Sequence, residues 1–287
     1  MFKDWMKLLR VQQYVKNGFV FLPLLFAVKI TQLPLLMNAT AAFVLFCIVS
    51  SAVYILNDIK DVEEDRNHPT KRYRPLASGT IATHTALGVS FLFVIVAFAV
   101  SFFFNKTFLL ILALYIALNI SYSFGLKHIS ILDIVMVSVG FVLRIFAGGA
   151  VTEIVPTIWI ILMTFLLAVF ISLAKRREDV LLASEGRSTR KNIDGYNTEF
   201  INAAMMIMAS VIIVSYISYA ISPDIQDKFH TKYLYLTVVF VIVGILRYMQ
   251  ITFVENNSGN PTAILYRDRF LQITIGGWLL TFVLMIY

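Results

Sequence analysis

The most informative residues of the chain read Asn57-Asp-Ile-Lys-Asp-Val-Glu-Glu-Asp-Arg66, followed at once by Asn67-His-Pro-Thr-Lys-Arg-Tyr-Arg-Pro75. Carboxylates and then cations lie at the end of an apolar segment that is long enough to cross a bilayer. On one continuous helix Asn57, Asp61 and Asp65 would share a face, because they are spaced i, i+4 and i+8. Three oxygen ligands of this kind suit a Mg²⁺ that bridges carboxylates to a substrate diphosphate. The alternative is a solvated loop, but polar groups at membrane depth are costly, which favours metal chemistry.

Composition indicates a membrane protein. Of the 287 residues, 59% are hydrophobic and 14% are charged, whereas soluble domains average about 45–50% and about 25%. The single cysteine, Cys47, excludes an intramolecular disulfide framework. The net charge of +7 would suit a nucleic-acid partner, but the cations lie in loops between apolar segments. Anionic headgroups or a polyphosphate substrate explain them better, so we expect a bilayer and no nucleic acid.

Nine apolar segments approach the length of about 20 residues that a membrane helix needs. They lie roughly at 18–37, 39–57, 81–104, 107–124, 131–150, 156–174, 200–221, 233–251 and 270–287. If the N-terminus is cytoplasmic, the far side keeps Lys29, Lys106, Lys228 and Lys232, and nearly all other cations face the cytoplasm, as the positive-inside rule expects. The C-terminus would then lie on the far side.

This pattern predicts an all-α polytopic membrane protein with nine transmembrane helices and cytoplasmic cap loops at about 58–80, 175–199 and 252–269. We expect a single transmembrane domain over residues 1–287. Residues 1–17 are expected to form an interfacial amphipathic segment, because they are too charged for a cleavable signal peptide. The chemistry is expected at the cytoplasmic mouth of the helical bundle.

A second charged group follows the sixth apolar segment and begins Lys175-Arg-Arg-Glu-Asp179. Arginine clusters are well suited to bidentate phosphate recognition. The alternative is that these cations orient the span and snorkel to the headgroups, a role that we expect of Arg177. Further polar residues follow before the next span, namely Arg187, Arg190, Lys191, Asp194 and Tyr196.

Other candidates lie at the ends of spans or inside them. Lys16 and Asn17 lie at the foot of the first segment, and Tyr122 and Lys127 follow the fourth. The alternative is that these residues only anchor the helix ends at the membrane interface, Tyr122 as an aromatic residue at the depth of the headgroups. Arg144 lies inside the fifth segment, so it should face a polar cavity or a partner from another helix, and structural support of that cavity is the favoured role. The four histidines lack metal-ligand spacing, and no nucleophile–base pair indicates covalent catalysis.

Together these residues resemble the UbiA superfamily of intramembrane prenyltransferases. The resemblance rests on Asn57-Asp-x-x-Asp-x-x-x-Asp65 with the trailing motif His68-Pro-x-Lys-Arg-x-Arg-Pro-x-Ala-Ser-Gly79, and it extends over essentially the whole chain. It implies nine helices around a central cavity, with Mg²⁺ and a diphosphate at the cytoplasmic mouth.

The second motif departs from the prenyl-transferring members, which carry another Asp-rich stretch after the sixth span. Here the corresponding residues, Ala174-Lys-Arg-Arg-Glu178, are mainly cationic. This resembles the decaprenyl-phosphate phosphoribosyltransferase branch, as do Gln13–Leu24, Ser121-Tyr-Ser123 and Tyr266-Arg-Asp-Arg269. That branch transfers the sugar of 5-phosphoribose 1-diphosphate to a polyprenyl phosphate and releases pyrophosphate.

The residues and the resemblance define a candidate site. The expected catalytic residues are Asp58, Asp61 and Asp65, and the expected metal ligands are Asn57, Asp61 and Asp65. The expected substrate-binding residues are Lys16, Asn17, Arg66, Lys71, Arg72, Arg74, Tyr122, Lys127, Lys175, Arg176 and Glu178. One metal–carboxylate cluster cannot neutralise phosphates on both ends of the donor and on the lipid, so direct cation contacts are needed.

Two other functions stay open from sequence. The first is transfer of a prenyl group from its diphosphate to an aromatic or other acceptor on the same fold. The second is transport, with Arg144 in the pathway, although transporters usually have polar groups on both sides of the midplane and here they crowd one end. The multi-pass protein is expected in the cell membrane, and its oligomeric state, a homo-oligomer included, stays open.

Overall fold

The computed structural model describes residues 1–67, 71–184 and 195–286, and every regular element among them is helical. In chain order the α-helices are α1 (Phe2–Leu8), α2 (Leu22–Phe26), α3 (Leu33–Lys60), α4 (Val62–Arg66), α5 (Thr83–Phe104), α6 (Lys106–Phe124), α7 (Leu132–Thr152), α8 (Ile158–Ser184), α9 (Thr198–Ile221), α10 (Pro223–Phe229), α11 (Val238–Phe253), α12 (Pro261–Arg267) and α13 (Arg269–Ile286). Short 3₁₀ segments cover Val11–Phe21, Lys71–Tyr73, Leu126–His128 and Leu234–Thr237.

Within the described ranges, eight helical segments are long and apolar enough to cross a membrane. They are Leu33–Lys60, Thr83–Phe104, Lys106–Phe124, Leu132–Thr152, Ile158–Ser184, Thr198–Ile221, Leu234–Phe253 and Arg269–Ile286. The prediction of an all-α polytopic membrane protein is therefore confirmed, whereas the count of nine spans is not.

The predicted first span at 18–37 is not one helix. A 3₁₀ segment leads into α2, the chain leaves the helical path around Val28, whose φ is 56°, and α3 begins at Leu33. Pro23 and Pro34 each lie in the first turn of a helix. Proline is tolerated there because the amide it lacks would have no intrahelical partner. The two prolines therefore begin separate helices.

The chain divides into two compact units, and α7 contributes to both. The first unit contains Met1–Lys127 and Gly140–Pro156. Its core has Val20, Phe46, Phe108 and Leu112 fully buried. Gly148 packs on the backbone of Val20 so closely that an added Cβ would lie 1.9 Å from the Val20 carbonyl oxygen. Small residues allow such a close approach of two backbones.

The second unit contains His128–Val139 and Thr157–Tyr287. Its core is built by α8, α9 and α11, with Phe170, Ile201 and Met205 fully buried and Ile251 nearly so. The helix α8 continues ten residues beyond the predicted end of its span. Its cations and carboxylates after residue 174 therefore lie on a helix, where residues three or four apart are neighbours.

Candidate active site

The acidic motif lies where α3 gives way to α4. The helix α3 ends at Lys60, Asp61 lies between the two helices with φ −90° and ψ 6°, and α4 begins at Val62. The expectation of one continuous helix through Asp65 is therefore wrong. Carboxylates are unfavourable at a helix C-terminus and favourable in a first turn, where α4 places Asp65 together with Glu63 and Glu64.

Asp61 joins the ends of α3 and α6 within the first unit. The Asn57 amide nitrogen donates to Asp61 Oδ2 over 3.2 Å, and Lys127 Nζ donates to both Asp61 oxygens over 2.9 and 3.2 Å. The Ser123 hydroxyl donates to Asn57 Oδ1 over 3.0 Å, and Lys60 donates to the Ser123 carbonyl. Asn57, Asp61 and Lys127, all predicted site residues, are thus brought together.

Asp58 and Asp65 form a second group on the same motif. Both carboxylates are buried, at 4% and 3% exposure. Arg74 Nη1 donates to Asp65 Oδ2 over 2.7 Å and to Asp58 Oδ1 over 3.3 Å. Arg10 Nη2 donates to the same Asp58 oxygen over 2.5 Å. Each aspartate of the motif therefore has a basic partner in this structure.

The chemistry of the donors at this place fits a magnesium ion. Asn57 and Asp61 offer neighbouring oxygen ligands, and Asp65 offers a carboxylate on the next helix. Among the described residues no three Asp, Glu, His or Cys side chains converge into a complete metal site. Mg²⁺ commonly takes one or two carboxylates from the protein and its other ligands from water and substrate phosphate. The residues present suit that incomplete kind of site.

The basic residues after the motif make mostly local contacts. Arg66 is exposed and donates to Glu63 over 2.7 Å. Arg72 is exposed and lies over the Tyr73 ring at 4.9 Å. Lys71 begins the same 3₁₀ turn and is half-buried. The structure therefore fixes Arg74 on the carboxylates but not Arg66 or Arg72, and their contacts with substrate stay predictions.

Arg144 lies in a buried cluster of neutral partners in the first unit. Its guanidinium is 5% exposed and donates to Asn17 Oδ1 over 2.8 Å, to the Tyr115 hydroxyl over 3.0 Å and to the Gly140 carbonyl over 2.7 Å. The expectation of partners from other elements is confirmed. Asn17 also donates to Ser50 over 3.2 Å and is 1% exposed, so its amide is occupied by the protein on both sides.

Lys16 has a perturbed pKa. Burial, followed by the positive charges of Arg144 and Arg10, lowers the pKa of the Lys16 amine from 10.5 to about 8. Each of these causes disfavours the charged amine, whereas a bound anion would favour it. The predicted role of Lys16 in substrate binding is compatible with this electrostatic environment.

In the second unit, Arg176 takes part in a buried ion-pair network. It is 3% exposed, and its Nε donates to Asp133 Oδ2 over 2.6 Å. Another guanidinium nitrogen donates to Asp179. The Tyr196 hydroxyl donates to Asp133 Oδ1 over 2.7 Å and accepts from the Ile131 amide over 2.5 Å. Arg176 thus connects α8 to the start of α7, and its direct contact with substrate stays a prediction.

The neighbours of Arg176 differ from one another. Arg177 donates to Asn202 Oδ1 over 3.0 Å and to the Thr252 carbonyl over 2.6 Å, so the expectation that it snorkels is wrong. Glu178 accepts from the backbone amides of Ser258 and Gly259. Lys175 is half-buried. Glu178 therefore holds the loop that precedes α12, and the contact of Lys175 with substrate stays a prediction.

Some predicted groups cannot be placed. Arg187, Arg190, Lys191 and Asp194 lie outside the described residues, as does His68 of the first motif. Tyr122 is half-buried near the end of α6.

Two residues of the site escaped sequence reasoning. The sequence indicates only an interfacial segment around Arg10, yet the Arg10 guanidinium bonds to Asp58, 48 residues later in the chain. Ser123 carries no individual signal in the sequence, yet its hydroxyl donates to the Asn57 amide oxygen and orients that amide. A contact at such a sequence distance has no local signal, although an arginine just before an apolar segment is a candidate site cation.

The fold and the site define a helical multi-pass membrane protein with carboxylates and cations clustered at the end of α3. A model of the UbiA prenyltransferase family matches residues 18–274, and the chain belongs to that family.

Comparisons with individual proteins agree with this membership. The chain is 32% identical to a decaprenyl-phosphate phosphoribosyltransferase of Mycolicibacterium smegmatis, over 98% of the chain and 92% of that protein. It is 31% identical to a protein of the same description from Corynebacterium glutamicum, over 98% of the chain and 86% of that protein. The fold is similar to that of a UbiA homolog from Archaeoglobus fulgidus, solved with DMAPP and Mg²⁺, with a TM-score of 0.72 at 17% identity and 99% coverage of both chains.

Proposed function

We propose that this protein transfers the 5-phosphoribosyl group of 5-phosphoribose 1-diphosphate to a polyprenyl phosphate, with release of pyrophosphate. The observation that carries the proposal is that Asp58, Asp61 and Asp65 are each paired with a cation, while the helix that would carry a second acidic motif has Lys175-Arg-Arg-Glu178 instead. Basic groups beside the first motif, and a second motif that lacks metal-binding aspartates, suit a donor that carries phosphate at both ends. The descriptions of the curated relatives support the same substrates.

The reaction forms one bond and breaks another at the same carbon. An oxygen of the lipid phosphate attacks the anomeric carbon of the ribose, and the bond from that carbon to the diphosphate oxygen breaks with its electron pair leaving on pyrophosphate. The lipid phosphate is already ionised, so a general base is not needed. Catalysis is then mainly positioning together with electrostatic stabilisation of the leaving diphosphate.

Asn57, Asp61 and Asp65 would hold a divalent cation, which we take to be Mg²⁺, and that ion would neutralise charge on the leaving diphosphate when bound. Lys127 and Arg74 now neutralise Asp61 and Asp65. An incoming cation would compete with them for these oxygens. Both basic groups would then be available to substrate phosphates, so the charge of the site would stay balanced.

The setting of the reaction is also part of the proposal. We place the motif on the cytoplasmic side of the cell membrane, because the loops follow the positive-inside rule. The N-terminus lies on the same side, because Arg10 contacts Asp58 near the end of α3. Eight spans in the described part of the chain, counted from α3, which would enter from the far side, then put the C-terminus on the far side. The chain would act as a single UbiA-like transmembrane domain, with residues 1–17 at the interface. The donor is a soluble anion, so its site must open to water on the side where the donor is made.

Variants of Lys175 test the proposal against prenyl transfer. If Lys175 binds a donor phosphate, Lys175→Ala should weaken donor affinity by about ten- to a hundredfold, the value of one charge-assisted hydrogen bond. Lys175→Asp should inactivate the protein, whereas a prenyl-transferring site would tolerate an added metal-binding carboxylate. Donor titrations with polyprenyl phosphate in excess measure both effects, and retained activity in Lys175→Asp would favour prenyl transfer.

A further inference from the structure

The N-terminal arm, Met1–Arg10, is built into the first unit. Leu8 is fully buried in a cluster with Ile55, Leu76 and Ile81. The helix α1 ends before Arg10, which has a left-handed backbone with φ 53°. Such a conformation is uncommon for a residue with a side chain and needs support from its surroundings. The turn at Arg10 is followed directly by the 3₁₀ segment, and its side chain reaches Asp58.

Two arginines meet on one oxygen of Asp58. Arg10 Nη2 lies 2.5 Å and Arg74 Nη1 lies 3.3 Å from Asp58 Oδ1, so the two nitrogens are less than about 6 Å apart. Arg74 Nη1 also donates to Asp65 over 2.7 Å. Across the described ranges, each arginine has two guanidinium nitrogens that make no hydrogen bond to the protein. They are Nε and Nη1 in Arg10, and Nε and Nη2 in Arg74. Both side chains retain exposure, 28% for Arg10 and 31% for Arg74.

Like charges at this separation repel, and a shared carboxylate offsets the repulsion. The unused guanidinium donors are the atoms that bind phosphate in a fork. Arg10 is further held over the Tyr54 ring, 4.7 Å from its centroid, which limits the positions that its guanidinium can take. The Arg10 side chain is therefore already ordered before any ligand binds, so binding loses less conformational entropy.

We propose that Arg10 and Arg74 form a paired binding site for a substrate phosphate and that Asp58 is the positioning residue that holds the pair. The inference deepens the proposed function and rests on it for the identity of the phosphate. The phosphate belongs either to the diphosphate donor or to the lipid acceptor. Asp58 acts through the arginines and does not bind the metal, in contrast to Asp61.

Arg10→Ala tests the arginine, and Lys7→Ala is the matched control, because Lys7 is an exposed cation of the same arm. Affinities are measured with the full-length protein in detergent for 5-phosphoribose 1-diphosphate, inorganic pyrophosphate and polyprenyl phosphate. We expect Arg10→Ala to lose about ten- to a hundredfold affinity for one phosphate source, the loss corresponding to one charge-assisted hydrogen bond. Arg10→Lys should recover only part of it. The source that is affected identifies the phosphate.

Asp58→Asn tests the positioning role. We expect the affinity of the Asp58→Asn variant for the same phosphate to fall. The Mg²⁺ concentration that gives half-maximal pyrophosphate binding should stay at the wild-type value. Asp61→Asn should raise that Mg²⁺ concentration. Thermal unfolding identifies variants that fail to fold, and the double variant Arg10→Ala/Asp58→Asn should lose less than the sum of both.

Three outcomes would overturn the inference: wild-type affinities in Arg10→Ala, equal losses in Lys7→Ala, or a shifted Mg²⁺ requirement in Asp58→Asn like that of Asp61→Asn. Failure of the proposed function is a separate result. If wild-type protein does not bind 5-phosphoribose 1-diphosphate, the effect of Arg10 can still be measured with pyrophosphate and polyprenyl phosphate.

Discussion

Replacing Arg176 with alanine is expected to destabilise the second unit. Arg176 is 3% exposed and bonds to Asp133, which is fully buried, and to Asp179. The variant leaves the Asp133 carboxylate buried without this cation, although Tyr196 still donates to it. Breaking a buried ion pair by removing one partner costs about 3–5 kcal/mol. We therefore expect a large fall in the unfolding temperature of Arg176→Ala.

The double variant Arg176→Ala/Asp133→Asn separates the lost contact from the unpaired charge. It removes the buried carboxylate as well as the arginine, so it should unfold at a higher temperature than Arg176→Ala alone. Lys175→Ala is the control, because Lys175 is the half-buried neighbour on the same helix. Its unfolding temperature should stay near that of the wild type.

The assay is thermal unfolding in detergent, followed by donor titration of each variant at a temperature where it is folded. A positioning role of Arg176 is supported if Arg176→Ala loses stability and its donor affinity, measured on the folded protein, changes less than that of Lys175→Ala. The reasoning is refuted if Arg176→Ala unfolds like the wild type and loses donor affinity by about ten- to a hundredfold, because a direct phosphate contact would explain both results.

Three further predictions concern the metal, the pH dependence and the topology. Asp61→Asn should nearly abolish Mg²⁺-dependent turnover without unfolding the protein, whereas Glu63→Gln, which alters an exposed side chain, should retain most of it; equal activities would contradict the metal assignment. Because the pKa of Lys16 is lowered to about 8, the free protein loses that charge as the pH rises through 8, so substrate affinity should fall above this pH. Lys16→Arg should flatten the pH dependence, and an unchanged profile would count against Lys16. Cysteines placed at the exposed residues Asn67 and Asp227, in a Cys47→Ala background, should label from the cytoplasmic and the far side respectively, and reversed labelling would overturn the proposed orientation.

Most of the fold could be predicted because apolar length is a local property of the sequence. Eight of the predicted spans correspond to helical segments of the structure. The segment at 18–37 failed because hydropathy does not distinguish a proline that interrupts a helix from one that begins it. Pro23 and Pro34 do the latter, and the residues between α2 and α3 leave the helical path.

The sequence indicates which residues are candidates for the site better than it indicates which of them contact one another. Asn57 and Asp61 are neighbours because they are one helical turn apart, as their spacing indicates. The pairing of Arg10 with Asp58 and of Arg176 with Asp133 joins residues 48 and 43 positions apart. Such pairings depend on how helices pack, so sequence spacing alone cannot separate a cation that binds substrate from one that holds the fold.

The most direct test of the central claim is product analysis with purified protein, Mg²⁺, 5-phosphoribose 1-diphosphate labelled in the ribose, and polyprenyl phosphate. We predict a labelled lipid whose mass equals that of the acceptor plus one phosphoribosyl group, formed in a one-to-one ratio with pyrophosphate and absent in Asp61→Asn. The claim is contradicted if no label enters the lipid while the same preparation transfers a prenyl group from a prenyl diphosphate to an acceptor.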